Sequence, residues 1–556
     1  MITEKIKSVI SEHWFILPLF VIGIFASGFH SIPLVTVIYF PLLISYARQY
    51  WYTVIIASIL NTASFWVSIL GLQDDLYGNG RFQHPWWMLG KLILFLQLKD
   101  LLFKKKKVLT ILGTVNVVIA LVGDYLASRH NYSIIRIIVF PTLFTGTWLV
   151  IFGHLFGLGD SIVYSNNIQA GFPDIVQGVT WLGGRPAIDF VFTLFATVTQ
   201  ELARTTSISS DNNNNLIFNN NDNDGDEEEQ QQQQEQVPVV SFKNWLVHPA
   251  TYYVILVTVL AIFGGVLNNI HPDSFFQIGY PDYVPETVPV GCVIGPGGIQ
   301  WQRQFDYDRW LNRTRTLADS GAKLVAWTEE TAATQSYEDE ERLINKSKAL
   351  AKEKQIYLAI TYNQIIPPSI SENKLVLITP EGEIGINYKK AYPVPFIEPR
   401  PPGKREIQYI DTLLFGRISA GICFDFNFPW FIRQTSKKNV DLMIESSWTW
   451  GPTGTYHSQS NSLRAIENGF TLLRCGSQAK SGIYEPTVNG LFNQHIATIT
   501  DSEYLFHLPI QKRRKTLYGY TGDLFGFTCL AIGGITTIYL IYSNIVKYRH
   551  GGQIQV

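Results

Sequence analysis

The sequence has few charged residues for its length. Only 16% of its 556 residues are Asp, Glu, Lys or Arg, whereas soluble proteins average roughly 25%. The formal net charge is −1, so no excess of positive charge indicates a nucleic-acid partner. Four cysteines in a chain of this length exclude a small scaffold held by many disulfides. No Cys and His residues have the spacing of zinc ligands, and we expect neither a metal nor an organic cofactor.

Long apolar runs account for the missing charge. Five stretches carry no charged side chain: Trp14–Ala47, Gln49–Gln73, Ile137–Gly159, Trp245–Pro272 and Leu524–Val546. A membrane helix needs about 20 mostly apolar residues. Val108–Leu126 is a further candidate, and Trp86–Phe103 and Pro186–Gln200 are weaker ones. Because a turn at Ser27–Pro33 divides the first stretch in two, the sequence predicts a bundle of eight or nine spans.

Two segments between these runs are polar. Residues 202–248 contain runs of Asn, Gln and acidic residues that cannot bury apolar surface, so we expect a disordered loop. In residues 285–510 the charges return, and short apolar strands alternate with amphipathic helices, which predicts an α/β domain. The expected order is therefore a membrane bundle (1–201), the loop (202–248), a transmembrane helix (249–271), the α/β domain (285–510) and a last transmembrane helix (520–546).

Specific segments of this domain have a strand or a helix pattern. The predicted strands are Lys323–Trp327, Ile356–Tyr362, Lys374–Thr379, Arg417–Asp425 and Leu442–Ser446, and the predicted helices are Asp306–Ala322 and Tyr337–Lys354. Thr379–Gly382 is typical of a turn between two strands.

The two basic clusters of the sequence give opposite orientations in the membrane. Basic clusters mark cytoplasmic loops, and both Lys104–Lys107 and Lys547–Arg549 qualify. Counting spans back from a cytoplasmic C-terminus places the α/β domain outside the cytosol, whereas counting on from the four lysines places it inside. Glycosylation triplets at Asn312 and Asn345 favour a lumen. We expect an integral, multi-pass membrane protein with an extracytoplasmic or lumenal α/β domain.

Three chemically versatile side chains lie at ends of predicted strands. Cys423 follows an apolar run, Glu329 follows Trp327, and Lys390 precedes a turn rich in proline. A thiolate can attack a carbonyl carbon, a carboxylate can take the thiol proton, and an ammonium can stabilise the oxyanion. Taken singly, a lone Cys is more often an inert core residue, and Glu329 and Lys390 are more often solvated surface groups.

Together these segments resemble the nitrilase (carbon–nitrogen hydrolase) superfamily, and within it the apolipoprotein N-acyltransferase family. The similarity rests on Trp327–Glu329, Tyr388–Glu398 and Ile422–Asp425, with further matches at Trp301, His457, Arg464–Glu467, Leu472–Arg474 and Thr516–Asp523. The resemblance implies an αββα sandwich attached to the membrane bundle. It also implies Cys423 as nucleophile, Glu329 as general base and Lys390 as oxyanion stabiliser.

The resemblance extends to residues around these three. It implies that Glu398 and Asp425 support the site and that Trp301 lines the entrance for an acyl chain. Glu330 and Lys389 are rivals of their neighbours Glu329 and Lys390 for the catalytic roles. The positions Thr328, Phe424, Asp425, Trp448–Gly451 and Gly476–Gln478 depart from the family's pattern. Since these departures cluster where an acceptor would lie, they put the identity of the substrate in doubt.

The activity that the resemblance implies is N-acyl transfer. A phospholipid would donate its acyl chain to Cys423 as a thioester, and an amine, in the family the N-terminus of a lipoprotein, would accept it. The alternatives are a membrane-tethered amidohydrolase and a catalytically silent scaffold that keeps the fold. We expect a monomer. Cys292, Cys475 and Cys529 are interpreted as small, buried apolar residues.

Overall fold

The computed structural model describes residues 13–28, 31–68, 103–155, 159, 168–219, 246–269, 286–365, 371–395, 398–449 and 452–549. The helices before the first strand are α1 (Ile16–Ala26), α2 (Pro33–Ala47), α3 (Trp51–Ser68), α4 (Phe103–Ser128), α5 (Ser133–Trp148), α6 (Pro173–Asn219) and α7 (Pro249–Asn269). A π-helical segment, Leu149–Leu155, continues α5.

Apolar side chains form most of these helices, as the uncharged runs predict. Among the described residues, three helices are long and apolar enough to cross a membrane, fewer than the eight or nine spans that the sequence predicts: Ser133–Leu155, Pro249–Asn268 and Leu524–Lys547. Four shorter apolar helices are Ile16–Ala26, Pro33–Ala47, Trp51–Phe65 and Thr114–Ser128. Of the two weaker candidate membrane spans, Pro186–Gln200 lies within α6. The other, Trp86–Phe103, falls outside the described residues except for Phe103.

Ion pairs join the helices at one end of the bundle. Arg48, just after α2, binds both carboxylate oxygens of Asp124 in α4, at 2.8 Å each. Arg136, near the start of α5, binds Glu201 of α6. Charged groups within a mostly apolar bundle are tolerated when they are paired in this way. These contacts place the α2–α3 and α4–α5 connections and residue 201 at the same end, here called the distal end.

Helix α6 is bent and longer than the sequence predicts. Gly184 has a φ of +66°, and a Cβ there would lie 2.4 Å from the ring of Tyr518, so only glycine fits this bend. The disordered loop predicted for 202–248 does not begin at 202, because α6 continues to Asn219. Polar residues such as Thr205 fit an exposed helix, since its hydroxyl donates to the Glu201 carbonyl at 3.1 Å. Residues 220–245 of that prediction lie outside the described part.

The strands are β1 (Thr287–Ile294), β2 (Leu324–Trp327), β3 (Ala332–Thr334), β4 (Tyr357–Gln364), β5 (Glu372–Ile378), β6 (Ile384–Lys389), β7 (Tyr409–Thr412), β8 (Gly416–Ile422), β9 (Leu442–Trp448), β10 (Thr471–Ser477), β11 (Ala479–Tyr484), β12 (Gln494–Thr498) and β13 (Ser502–Pro509). They form two sheets. The first has the order β13-β1-β2-β4-β5-β6, with β3 on β4, and the second has the order β12-β11-β10-β9-β8-β7.

The helices of this domain are α8 (Tyr307–Asp319), α9 (Tyr337–Lys354), α10 (Pro429–Ile432), α11 (Gln434–Lys437), α12 (Pro452–Asn468), α13 (Leu517–Thr521) and, after it, α14 (Leu524–Arg549). α8 and α9 pack on the first sheet. α12 packs on the second sheet and, through Leu463 and Ile466, on the bundle. The layers are thus α8 and α9, first sheet, second sheet, and α12, which confirms the predicted αββα sandwich.

A disulfide joins Cys292 of β1 to Cys475 of β10. The interpretation of these two cysteines as plain apolar residues is therefore wrong. Both side chains are fully buried, as a small apolar residue would be, and 183 positions separate them in sequence. Only the stacking of the two sheets brings them together, which no local pattern reveals. Cys529 is free and buried, as predicted.

Candidate active site

The three predicted catalytic side chains lie together at the ends of three strands. Glu329 follows β2 by two residues, Lys390 directly follows β6, and Cys423 directly follows β8. All three are buried; the relative exposure is 4% for Glu329, 1% for Lys390 and 5% for Cys423. Ends of strands in both sheets therefore build one enclosed polar site.

Lys390 is the cation at the centre of this site. Its Nζ donates to Oε1 of Glu329 at 2.7 Å and to the two carboxylate oxygens of Glu398 at 2.8 and 2.9 Å. The Asn373 amide also donates to Oε1 of Glu329, at 2.8 Å. Glu398, which the resemblance placed near the lysine, is thus in direct contact with it.

The backbone of one residue, Trp448, connects the carboxylate to the thiol. The backbone N–H of Trp448, at the end of β9, donates to Oε2 of Glu329 at 2.9 Å. The carbonyl of the same residue accepts a hydrogen bond from Sγ of Cys423 at 3.7 Å. Glu329 and Cys423 therefore lie on either side of a single residue.

A sharp turn projects the sulfur from the end of β8. Cys423 has a φ of +44°, a conformation that is uncommon for a residue with a Cβ. The predicted strand Arg417–Asp425 is too long, since β8 ends at Ile422 and a 3₁₀ turn, Cys423–Asn427, follows. The strand cannot continue because the carboxylate of Asp425 turns back to accept the Ile422 N–H at 2.9 Å.

Asp425 is the anchor of this turn. Besides Ile422, it accepts hydrogen bonds from the Tyr392 N–H at 2.8 Å and from the Tyr388 hydroxyl at 2.7 Å. Burial raises the pKa of Asp425 to about 7, against the opposing effect of the Tyr388 hydroxyl and the Lys390 charge. The role of Asp425 is thus to support the backbone under Cys423, in agreement with the supporting position that the resemblance implies.

The protonation states suit attack by a thiol with help from a base. Burial favours a protonated Glu329, but the Lys390 ammonium and the hydrogen bonds to the carboxylate outweigh it and lower the pKa. Burial disfavours the charge on Lys390, but Glu329 and Glu398 keep its pKa well above the usual range. Burial, followed by the Glu329 charge, raises the pKa of Cys423 to about 12. At neutral pH the site therefore holds a carboxylate, an ammonium and a neutral thiol.

The rival residues point elsewhere. Glu330 is paired with Arg400 and not with Lys390. Its backbone has a φ of +52°, which turns it away from its neighbour. Lys389 binds Glu372 at 2.7 Å and is partly exposed. The structure thus separates each rival from the site that its neighbour occupies.

A second buried cation approaches the thiol from the second sheet. Arg474 of β10 is paired with Glu445 of β9, and its Nη2 lies 3.2 Å from the Ser447 hydroxyl and 3.3 Å from Nδ1 of His457. Ser447 is hydrogen-bonded to Cys423, and both this bond and the Arg474 charge oppose the rise in the pKa of the thiol.

Sequence reasoning missed several of these partners. Asn373, Arg400 and Ser447 have no sequence pattern that marks them. Glu445 could have been found, because it is a carboxylate within the otherwise apolar strand prediction Leu442–Ser446. Trp301 lies in the 3₁₀ segment Gly298–Phe305, but its side chain is outside the described part. Among the described residues, no group of His, Cys, Asp and Glu is placed to hold a metal ion.

An aromatic row leads from the site to the bundle. The ring centroids of Phe424 and Phe428 are 5.5 Å apart, and those of Phe428 and Trp430 are 5.2 Å apart. The ring centroids of Trp430 and His154, in the π-helical segment, are 4.8 Å apart. Those of His154 and Phe527, in α14, are 5.1 Å apart. Apolar surface thus runs from the residue next to Cys423 to the apolar helices.

Comparisons with known proteins find relatives of the domain that carries this site. The family model for carbon–nitrogen hydrolase matches residues 292–492. A formamidase of Allorhizobium ampelinum is 26% identical over 133 residues, which cover 23% of this chain and 39% of the relative. Apolipoprotein N-acyltransferase 1 of Treponema denticola is 24% identical over 136 residues, which cover 24% of this chain and 25% of the relative. The matched segments therefore span between a quarter and two-fifths of these relatives.

Among solved structures, an amidase from Nesterenkonia sp. is similar, with a TM-score of 0.35 and 16% identity, over 41% of this chain and 93% of the amidase.

Proposed function

We propose that this chain, which carries a domain of the nitrilase (carbon–nitrogen hydrolase) superfamily of enzymes, is a membrane N-acyltransferase. It would transfer an acyl chain from a phospholipid, through a thioester on Cys423, to an amine. The observation that carries the proposal is the position of the enclosed Cys423, Glu329 and Lys390 site on a domain joined at both ends to long apolar helices.

The first half-reaction would form the thioester. Glu329 takes the thiol proton while the sulfur of Cys423 attacks the ester carbonyl carbon of the phospholipid. The carbonyl oxygen becomes an oxyanion, which the Lys390 ammonium stabilises. When the carbon–oxygen bond breaks, the lysophospholipid leaves as an alcohol with the proton that Glu329 held.

The second half-reaction would use an amine. Its nitrogen attacks the thioester carbonyl, and Glu329 takes a proton from the nitrogen. The carbon–sulfur bond then breaks, and the proton returns to the sulfur of Cys423. The products are an N-acyl amine and the free enzyme, so no cofactor or external energy source is required.

The apolar surroundings support a lipid as the donor. Helices α7 and α14 lead into and out of the domain, and both have the length and composition of membrane spans. The aromatic row from Phe424 to Phe527 provides apolar surface between these helices and the site. Trp301 remains the residue predicted to line the acyl entrance. A multi-pass arrangement with a lumenal domain is part of the proposal.

Hydrolysis is the second candidate, since several curated relatives are formamidases. In that reaction water would take the place of the amine and would release a free acid. The departures at Phe424 and Asp425 from the acyltransferase pattern lie beside the nucleophile. The two candidates share the acyl-enzyme and differ in what accepts the acyl group.

Acyl transfer from a labelled phospholipid tests the proposal. Full-length protein in phospholipid vesicles with an alkyne-tagged acyl chain should become labelled at Cys423 and should release lysophospholipid. C423S should not form a thioester, and E329Q should form it at least 100-fold more slowly, since general-base help contributes roughly 10²–10⁴-fold. E353Q changes an exposed carboxylate and is the matched control.

The products then separate the candidates. Addition of a peptide with a lipidated N-terminal cysteine should discharge the label as an N-acyl amine. Release of free fatty acid at the same rate with and without the peptide would favour the hydrolase. If the wild-type protein acquires no label that depends on Cys423, the acyltransferase proposal is wrong.

A further inference from the structure

We propose that Asn312 and Asn345 carry asparagine-linked glycans, which places the αββα domain in a lumenal compartment. Each begins an acceptor triplet, Asn312-Arg313-Thr314 and Asn345-Lys346-Ser347. The inference concerns modification and sidedness, so it does not depend on which acyl acceptor the site uses.

Both asparagines are exposed on the outermost layer of the domain. Asn312 lies on α8 and Asn345 on α9, and both side chains face solvent. The two sheets and α12 separate this layer from the bundle. An oligosaccharide on either residue would extend into water, away from the bundle and from the lipid that we propose around it.

The surface neighbours of the two asparagines are polar, although Thr314 and Ser347 of the triplets are buried in the folded domain. Lys346, inside the second triplet, forms an exposed ion pair with Asp308. Arg315, next to the first triplet, forms another with Glu353. Such surface pairs contribute only about 0–1 kcal/mol each. A glycan could therefore displace them without unfolding the layer.

The disulfide between Cys292 and Cys475 is an independent observation for the same compartment. Disulfides form and persist in secretory and extracytoplasmic compartments, and they are rare in the reducing cytosol. This disulfide joins the two sheets at their buried faces. The domain therefore acquires it where the chain is also accessible to glycosylation.

A third triplet serves as an internal comparison. Asn131-Tyr132-Ser133 lies in the connection between α4 and α5. This connection is at the distal end of the bundle, beside the Arg48–Asp124 pair. Although Asn131 is exposed, we expect it to stay unmodified, because it lies on the side opposite the domain.

Basic residues do not decide the orientation, which is why the chemical marks are needed. Helix α4 has 26 residues and is therefore about 39 Å long. Lys104 at its start and Asp124 near its end lie on different sides of the bundle. The positive charge of Lys547 is near enough to His130 to help lower the pKa of that histidine, so Lys547 lies at the distal end. The two basic clusters of the sequence thus lie at opposite ends.

The test is a glycan count on the full-length chain expressed in eukaryotic cells. Treatment with an endoglycosidase should increase the gel mobility by the equivalent of two glycans. N312Q and N345Q should each lose one glycan, and the double variant should lose both. N131Q should behave as wild type. Because the glycan is added during synthesis, a variant that folds poorly still reports the side on which its triplet lies.

A reporter on the other side sharpens the result. N223T completes an acceptor triplet at Asn221, between α6 and α7 in sequence. Thr205 of α6 and His248, just before α7, contact each other at the distal end. N223T should add no glycan. Glycosylation of N223T with none at Asn312 and Asn345 would reverse the orientation. An absence of glycan on all of these residues would also overturn the proposal.

Thiol counting provides a second measurement. Without reductant, two of the four cysteines should react with a maleimide after denaturation, and all four should react after reduction. Four reactive thiols before reduction, in chain isolated under acid trapping, would contradict an oxidising compartment. Either failure would overturn the lumenal placement of the domain, here and in the proposed function, and leaves the Cys423 labelling experiment to judge the acyl transfer itself.

Discussion

The two outer helical layers of the sandwich differ in where they place polar side chains. On α9 the buried residues are Leu343, Ser347, Leu350 and Ala351, and most of the other side chains are charged. On α12 the polar residues themselves are buried: His457, Ser458, Ser460, Asn461, Arg464, Glu467 and Asn468. The difference arises because α9 covers one sheet and faces water, whereas α12 lies between a sheet and the bundle. Polarity in the sequence therefore does not by itself indicate exposure.

The contribution of an ion pair to stability differs between the two layers. Lys346 and Asp308 are exposed and lose little if separated. Arg464 and Glu467 are fully buried, and the removal of one partner leaves an uncompensated charge, at a cost of about 3–5 kcal/mol.

E467Q should have the largest effect. Glu467 pairs with Arg464 and accepts the backbone N–H of Arg185, at the bend of α6, at 2.9 Å. A neutral amide removes the carboxylate that compensates the buried positive charge of Arg464, so we expect a loss of about 3–5 kcal/mol in the free energy of unfolding. Thermal unfolding in detergent measures it. The exposed E353Q should lose less than about 1 kcal/mol, and equal losses in both variants would contradict the comparison.

Acid should destabilise the α12 layer through His457. Burial lowers the pKa of His457 to about 4 from an ordinary 6.5. The unfolded chain therefore binds the proton more readily, and stability is lost as the pH falls from 6.5 towards 4. The difference corresponds to about 3 kcal/mol.

H457Q should remove this part of the acid sensitivity, as measured by unfolding between pH 7 and pH 4. The exposed His507 provides the control, because H507Q should keep the wild-type pH profile. A profile for H457Q that follows the wild type throughout would show that this histidine does not couple stability to pH.

S336A should have a moderate effect on the α9 layer. Ser336 caps α9, since its hydroxyl accepts the Asp339 N–H at 3.1 Å. Loss of an N-cap costs about 1 kcal/mol, which a shift in the unfolding temperature would detect. S320A removes a hydroxyl just past the end of α8 and should be nearly neutral.

K346A should have the smallest effect, below about 0.5 kcal/mol, because its partner Asp308 is exposed. The measurement is the same thermal unfolding. Since K346A leaves the triplet at Asn345 intact, it should also leave the glycan count unchanged. A loss comparable to that of E467Q would show that the α9 layer is not energetically different from the α12 layer.

The contrast between the two layers also explains which features of the fold could be predicted from the sequence. The helix prediction Tyr337–Lys354 has the bounds of α9, because its apolar residues recur on one face. The short apolar strands were found for a similar reason, and Glu329, Lys390 and Cys423 stand at or near their ends. Patterns that depend on one buried face are therefore visible in the sequence.

Features that depend on contact between two surfaces could not be predicted from the sequence. The Cys292–Cys475 disulfide requires both sheets, and the Glu445–Arg474 pair requires neighbouring strands that are distant in sequence. The extension of α6 to Asn219 was missed because its composition is that of a solvated loop. For the disulfide and the ion pair, the deciding contact is between segments far apart in the chain.

The position of the Trp448 backbone determines how the catalytic site responds to motion of β9 and to substitution. Since its N–H binds the carboxylate and its carbonyl accepts from the thiol, a displacement of β9 carries both groups in the same direction. Small breathing motions of the second sheet should thus preserve the spacing over which the proton travels. Substitutions that rotate the backbone of Trp448 about φ or ψ turn its N–H and its carbonyl relative to each other, and they should disturb the spacing without altering either reacting side chain.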